Sequence, residues 1–263
     1  MNINTFKSKK EKQEKIVMVT CYDAPSAAIV EKSKVDCVLV GDSAAMVVHG
    51  HPNTTHATME MMILHTQSVA RKIESKFIVA DLPFLSYRVS KEDTMRNVGR
   101  LIQAGAHGVK LEGCIGNIEI VKHIVDSGIP VMGHLGLTPQ SIHQLGGNKV
   151  QARSTNLATQ LLEHAELLEN AGVFTIVLEC IPSEVAEKIT LKLEIPTIGI
   201  GAGPKTDGQV LVFHDLLGLQ NDFSPKFLKR YHNAENNFIE ALNTYALDVR
   251  DCSFPNLELH SYS

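Results

Sequence analysis

Short runs of β-branched and other apolar residues recur along the chain, separated by longer stretches in which apolar residues return every third or fourth position. The runs are IVMVT (16–20), VDCVLVGD (35–42), FIVADLPF (77–84), GVKLEG (108–113), IPVMGHLG (129–136), FTIVLEC (174–180), IPTIGIGAG (195–203) and, less sharply, GQVLVFHDLL (208–217). Their length and β-branched content mark buried strands. Between them, Met59, Met62, Ile63, Thr66, Val69 and Ile73 step along one face of a helix, as do Leu157, Leu161, Ala165 and Leu168. Ser90 in SKED and Ser183 in PSE (182–184) are placed to cap helix N-termini, and Gly105 and Gly128 stand where helices should stop.

Strands that are apolar on both faces, each followed by a helix, predict a parallel sheet covered on both sides. Eight such units predict an α/β fold, a (β/α)8 TIM barrel. An open doubly wound sheet is the alternative, but no GxGxxG opens a helix after the first strand, which weighs against a dinucleotide-binding version of it. No linker, internal repeat or low-complexity tract interrupts the pattern. The expectation is one barrel domain over 1–263, with a polar N-terminal extension over about 1–15 and a helical segment and tail over about 224–263.

Composition narrows the partners. A formal net charge of -4 over 263 residues carries no footprint for nucleic acid or for an anionic membrane surface, so small molecules are the expected ligands. The five cysteines are scattered, without a CxxC pair or metal-ligand spacing. The N-terminal MNINTFKSKKEKQEK lacks the apolar stretch of a secretory signal, and no long apolar run is present. A soluble protein of the reducing cytoplasm is expected.

The polar exceptions fall late in the apolar runs. Asp42 closes the second, Asp81 sits late in the third, Lys110 and Glu112 lie in the fourth, His134 in the fifth and Glu179 in the sixth. In a barrel, these strand ends form the catalytic face. Lys110 and Glu112 are two apart and point to the same side of their strand. Carboxylates gathered in one small volume repel unless some are protonated or a cation sits among them. With oxygen donors only, Mg2+ is favoured over Zn2+, and Asp42, Asp81 and Glu112 are candidates for direct or water-mediated ligands.

Each of these residues taken singly also has a structural reading. An acidic strand end suits a helix cap or a salt-bridged loop, and His134 suits a satisfied core histidine. Histidines 49, 51 and 56 lack strict spacing and read as a solvated or lid loop rather than a metal site. Ser43 has no general base beside it in sequence, which weighs against a nucleophilic role. The glycines of IGIGAG (198–203) suit either a phosphate cradle or a loop packed closely on the barrel mouth.

In order from about Met18 to Tyr231, the motifs GDSAAMVVHGH, ADLPFLSY, VKLEG, MGHLGLTPQS, IVLECIP, IGIGAGPKTDGQVLVFHDLLGL and SPKFLKRY resemble those of the ketopantoate hydroxymethyltransferase family. The resemblance implies a barrel of the phosphoenolpyruvate mutase and isocitrate lyase group. It implies transfer of a hydroxymethyl group from 5,10-methylenetetrahydrofolate to 3-methyl-2-oxobutanoate, giving 2-dehydropantoate for pantothenate synthesis. Carried over by motif, Asp42, Asp81 and Glu112 become the ligands of Mg2+, one ion per subunit. Asp42, Ser43, Asp81 and Lys110 become substrate contacts, and Glu179 the proton acceptor. His134 is placed to orient substrate or relay a proton. A homo-oligomer, often a decamer, is implied as well.

Two departures accompany the match. GDSAAM stands where the family usually has GDSLGM, so Ala44 and Ala45 replace a leucine and a glycine, and Pro52 stands where aspartate is usual. Loss of the glycine matters if the backbone there needs positive φ or a very close approach. A magnesium-dependent lyase or mutase of the phosphoenolpyruvate mutase group, acting on another α-keto acid, is the alternative enzyme; a catalytically silent barrel is the alternative of another class. No residue announces a folate site in a chain without tryptophan and with 5% aromatics.

Overall fold

The structure is a computed structural model that describes residues 1–221 and 224–262. Its strands are β1 (Ile16–Thr20), β2 (Cys37–Val40), β3 (Phe77–Asp81), β4 (Gly108–Glu112), β5 (Val131–Gly136), β6 (Thr175–Glu179), β7 (Thr197–Ile200) and β8 (Gly208–Leu211). All neighbouring pairs are parallel, and β8 pairs back onto β1 to close the barrel. The helices are α1 (Ile3–Glu11), α2 (Ala24–Glu31), α3 (Ala44–Val47), α4 (Met59–Ala70), α5 (Lys91–Gln103), α6 (Ile118–Asp126), α7 (Ile142–Leu145), α8 (Thr155–Asn170), α9 (Ser183–Lys192), α10 (Phe213–Leu217), α11 (Ala234–Arg250) and α12 (Leu257–His260). Two compact units divide the chain: Met1–Val212 holds the barrel, and Phe213–Ser263 holds the last three helices.

The eight apolar runs each contain a strand; the first strand fills its run, and the other seven are shorter than theirs. The second stops at Val40, which leaves Asp42 in the following turn. The eighth is only Gly208–Leu211, and Phe213–Leu217, expected to continue it, is helical. Ile16 and Met18, Cys37 and Leu39, Phe77 and Val79, with Met132, Val177, Ile198 and Val210, form one buried cluster. They alternate along their strands, as the inward set of a barrel must.

The N-terminal segment is more than a polar extension. Asn2 caps α1 by accepting a hydrogen bond from the Thr5 N–H, and Phe6 on that helix is fully buried in the barrel cluster. Its ring meets Phe77 at 5.5 Å and Phe174 at 5.0 Å, both edge-on. Lys9–Asp36 and Lys10–Asp207 ion pairs, each 2.9 Å, fasten the helix to the barrel unit. One apolar side chain in a lysine-rich segment is invisible to periodicity.

The helix boundaries correct one expectation. Ser90 caps α5 by accepting from the Asp93 N–H, and Gly105 and Gly128 adopt positive φ just past the ends of α5 and α6. Ser183 caps nothing: Pro182 occupies the N-cap of α9, and Ser183 is its first helical residue.

Candidate active site

The inward parity of each strand continues from the apolar cluster into the polar residues. Asp81 follows Phe77 and Val79, His134 follows Met132, and Glu179 follows Val177, each in steps of two. The parallel register sets Asp81 beside Lys110, Glu112 beside His134, and Glu179 beside Gly136. A lumen packed with apolar side chains thus ends, on the carboxyl side of the strands, in a polar layer. Asp42 reaches this layer by another route. The chain turns after Val40, and the Asp42 N–H donates to Asp81 Oδ2 at 2.9 Å. A Cβ on Gly41 would stand 2.8 Å from Ser43 Oγ and would displace that hydroxyl.

Asp42, Asp81, Lys110, Glu112 and His134 are all buried, and Glu179 is partly exposed. Lys110 Nζ lies 3.0 Å from Asp81 Oδ1 and 3.3 Å from His134 Nδ1. His134 stands between two carboxylates, with Nδ1 3.4 Å from Glu112 Oε1 and Nε2 3.1 Å from Glu179 Oε2. Ser43 Oγ shares a 2.7 Å hydrogen bond with the Tyr22 hydroxyl. The site residues anticipated from sequence are therefore linked by direct contacts, with Ser43 joined to Tyr22.

Crowding decides the protonation balance. Burial, followed by the charges of Asp81 and Glu112, pushes the Asp42 carboxyl well above its ordinary range, against Lys110 and Gln140. Burial also raises Asp81 despite the neighbouring Lys110. Glu112 goes the other way: contact with His134, the charge of Lys110 and the Gln140 N–H outweigh burial and lower it. Burial opposes the Lys110 charge, but Asp81, Glu112 and Asp42 together raise its pKa. For His134, burial and Lys110 act against protonation, yet Glu112 and Glu179 prevail and raise the pKa to about 9.

Among the described residues, no three His, Cys, Asp or Glu side chains form an assembled metal-binding group. The donor chemistry nevertheless fits a hard cation. Asp81 Oδ1 and Glu112 Oε1 are buried and face only cationic side chains, Lys110 Nζ at 3.0 Å and His134 Nδ1 at 3.4 Å. Carboxyl groups crowded in a dry site, with Asp42 driven towards its neutral form, are what a divalent ion with oxygen ligands would relieve.

Comparison with known proteins identifies the family. The family model for ketopantoate hydroxymethyltransferase matches residues 1–257. The chain belongs to the ketopantoate hydroxymethyltransferase family. It is 58% identical over 263 residues to the 3-methyl-2-oxobutanoate hydroxymethyltransferase of Legionella pneumophila strain Philadelphia 1, covering all of both chains. It is 56% identical over 257 residues to the enzyme of that name from Francisella tularensis subsp. tularensis, covering 98% of this chain and 97% of the other. In fold it is similar to a phosphoenolpyruvate phosphomutase from Streptomyces platensis subsp. rosaceus, with a TM-score of 0.63 and 12% identity over 100% of this chain and 92% of that one. A 2,3-dimethylmalate lyase of the PEP mutase/isocitrate lyase superfamily aligns with a TM-score of 0.61 and 12% identity over 99% and 91%.

Against that family background, the departures in GDSAAM have a structural account. Ala44 and Ala45 are buried residues opening α3, and neither adopts positive φ. Alanine fits that backbone without strain. In the following loop, His51 and His56 stack at 4.9 Å, while His49 Nε2 meets His65 Nε2 at 2.8 Å. Two glycines of IGIGAG are closely packed: a Cβ on Gly203 would meet Ser183 Oγ at 2.1 Å, and one on Gly199 would meet Thr206 Oγ1 at 2.7 Å.

Three polar residues of the site escaped sequence reasoning. Gln140 and Tyr87 are buried between the carboxylate-bearing strand ends, and Asn117 donates through Nδ2 to the Glu112 and Gly113 carbonyls. Gln140 lies inside the motif MGHLGLTPQS, but a glutamine after a proline carries no chemistry that spacing alone can reveal.

Proposed function

We propose that this chain transfers a hydroxymethyl group from 5,10-methylenetetrahydrofolate to 3-methyl-2-oxobutanoate, forming 2-dehydropantoate in pantothenate synthesis. Family membership supports the reaction, and one structural observation carries the assignment of roles: a lysine, a histidine and four carboxyl groups meet in a single layer at the barrel mouth. The same layer would hold one Mg2+ per subunit through Asp42, Asp81 and Glu112. When bound, the ion supplies a Lewis acid for the negative charge that develops on the substrate's keto oxygen.

The residues of the chain divide the remaining work. Glu179, partly exposed at the end of β6, takes the C3 proton of 3-methyl-2-oxobutanoate. Water breaks the two bonds from the one-carbon unit to the folate nitrogens, its protons going to those nitrogens and its oxygen staying on the carbon. The electron pair left at C3 then forms the new bond to that carbon, and the proton held by Glu179 completes the hydroxyl group. Lys110 offers a buried positive charge to the substrate carboxylate or the developing oxyanion. Ser43, held by Tyr22, and the aspartates complete the substrate contacts. His134 keeps Glu179 beside a cationic neighbour and so orients the base.

The likeness to a mutase and a lyase, at 12% identity, speaks for the fold alone and gives no support to the alternative enzyme reading. Against a silent barrel stand Asp42, Asp81, Lys110, Glu112 and Glu179, each present. We extend the proposal to a homo-oligomer working in the cytoplasm, a decamer by family resemblance. The apolar face exposed on α11 supports assembly, and among the described residues no helix is long and apolar enough to cross a membrane.

The deciding experiment follows the C3 proton of 3-methyl-2-oxobutanoate by NMR in D2O, with Mg2+ and again after chelation. Exchange that depends on the metal, followed by 2-dehydropantoate when the folate is added, is the expected result. Folded protein that neither exchanges the proton nor makes the product would overturn the proposal.

A further inference from the structure

Each of the three carboxylates assigned above to the cation has one oxygen held by a hydrogen-bond donor. Asp42 Oδ2 accepts from Gln140 Nε2 at 2.8 Å, Asp81 Oδ2 from the Asp42 N–H at 2.9 Å, and Glu112 Oε2 from the Gln140 N–H at 2.9 Å. The other oxygens of Asp81 and Glu112 face cationic side chains instead, Lys110 Nζ at 3.0 Å and His134 Nδ1 at 3.4 Å. Two of the three tethers come from one residue, Gln140.

The local structure explains how one residue does both. Pro139 opens a single turn of 3-10 helix, Pro139–Ser141, directly after β5, and the N–H of a residue in such a first turn has no partner within the helix. Glu112 takes that donor. The Gln140 side chain runs the other way, with Nε2 donating to Asp42 and, at 3.0 Å, to the Leu82 carbonyl that follows Asp81. A carbonyl can only accept, so the NH2 group must face Leu82 and Oε1 must face away. Oε1 receives the Tyr87 hydroxyl at 2.8 Å, and that hydroxyl oxygen lies 3.3 Å from the Glu112 N–H. Every polar atom of the Gln140 side chain is used, and the residue is 4% exposed.

We infer that Gln140, with its amide oriented by Tyr87, is a positioning residue of the cation site: it ties one oxygen of Asp42 and one of Glu112, leaving the second oxygen of each for the metal. The inference rests on the ligand assignment made under Proposed function. Its chemistry is that of outer partners which hold metal ligands by hydrogen bonds, whose loss weakens metal affinity by roughly 10–100-fold.

The test uses Mn2+ in place of Mg2+, with free Mn2+ followed by electron paramagnetic resonance during titration of the full-length protein. Gln140→Met keeps the side-chain volume and removes the amide; Tyr87→Phe removes only the hydroxyl. Gln140→Met is expected to weaken Mn2+ binding about tenfold or more, with native circular dichroism and a cooperative melt, and Tyr87→Phe to shift it less in the same direction. A merely structural role would lower the melting temperature and leave Mn2+ affinity of the folded protein unchanged. Glu112→Gln and Asp81→Asn separate the two levels. If they lose Mn2+ while Gln140→Met and Tyr87→Phe bind it as wild type does, the positioning role is wrong and the ligand assignment stands. If they too bind Mn2+ as wild type does, the ligand assignment is wrong and the positioning role falls with it. Should Gln140→Met fail to fold, Tyr87→Phe decides alone: unchanged affinity overturns the inference.

Discussion

At the scale of single residues, the site works by setting unlike groups so close that each alters its neighbour. His134 bridges Glu112 and Glu179, so the carboxylate proposed as a ligand and the one proposed as the base share one imidazole. Replacing Glu179 with glutamine removes the proton acceptor while keeping the shape. C3 proton exchange of 3-methyl-2-oxobutanoate, read by NMR, should slow by about 10²–10⁴-fold with substrate binding little changed. Exchange at the wild-type rate would move the base elsewhere. Asp81→Asn and Glu112→Gln should each raise the Mg2+ concentration needed for half-maximal activity in a protein that still folds, which a metal titration of initial rates would measure. The charged members of this site were legible in the sequence because an ionisable residue at the end of an apolar run is costly without compensation. Gln140 and Tyr87 were not, since neutral polar groups sit comfortably in many loops.

Elements add a second level of cause. α1 contributes one apolar residue to the barrel unit, and Phe6→Ala would leave a cavity among Phe77, Phe174 and the inward strand residues. The expected cost is about 3–5 kcal/mol in chemical denaturation. Capping offers a paired comparison. Ser90→Ala removes an N-cap whose hydroxyl accepts from the Asp93 N–H, at an expected cost of ~1 kcal/mol, whereas Ser183→Ala removes no cap from α9 and should leave that helix end unaffected. Equal losses in thermal or urea melts would contradict the assignment. The sequence offered serine before an amphipathic run in both places. Only the backbone entry angle decided which serine stood outside the helix, with Pro182 taking the cap position at α9.

At the scale of the whole molecule, α11 carries Phe238, Leu242, Tyr245 and Val249 on one stripe, all exposed, while only Ala234 of that helix is buried. In the homo-oligomer proposed above, this stripe would serve as an association surface. Leu242→Asp combined with Tyr245→Asp should lower the sedimentation coefficient of the assembly and leave the barrel's circular dichroism intact. An unchanged coefficient would place the subunit interface elsewhere. The sequence by itself determined the number of strands, their parallel order and the identity of the charged groups at their ends, because periodicity and burial cost act over a few neighbouring residues. Tertiary structure alone decided that Phe6 belongs to the core, that Asp42 arrives by a turn, and which carboxylate oxygens Gln140 ties. Those outcomes depend on pairs such as Gln140 and Asp42, 98 positions apart, or Tyr87 and Gln140, 53 apart, which meet only when the barrel closes.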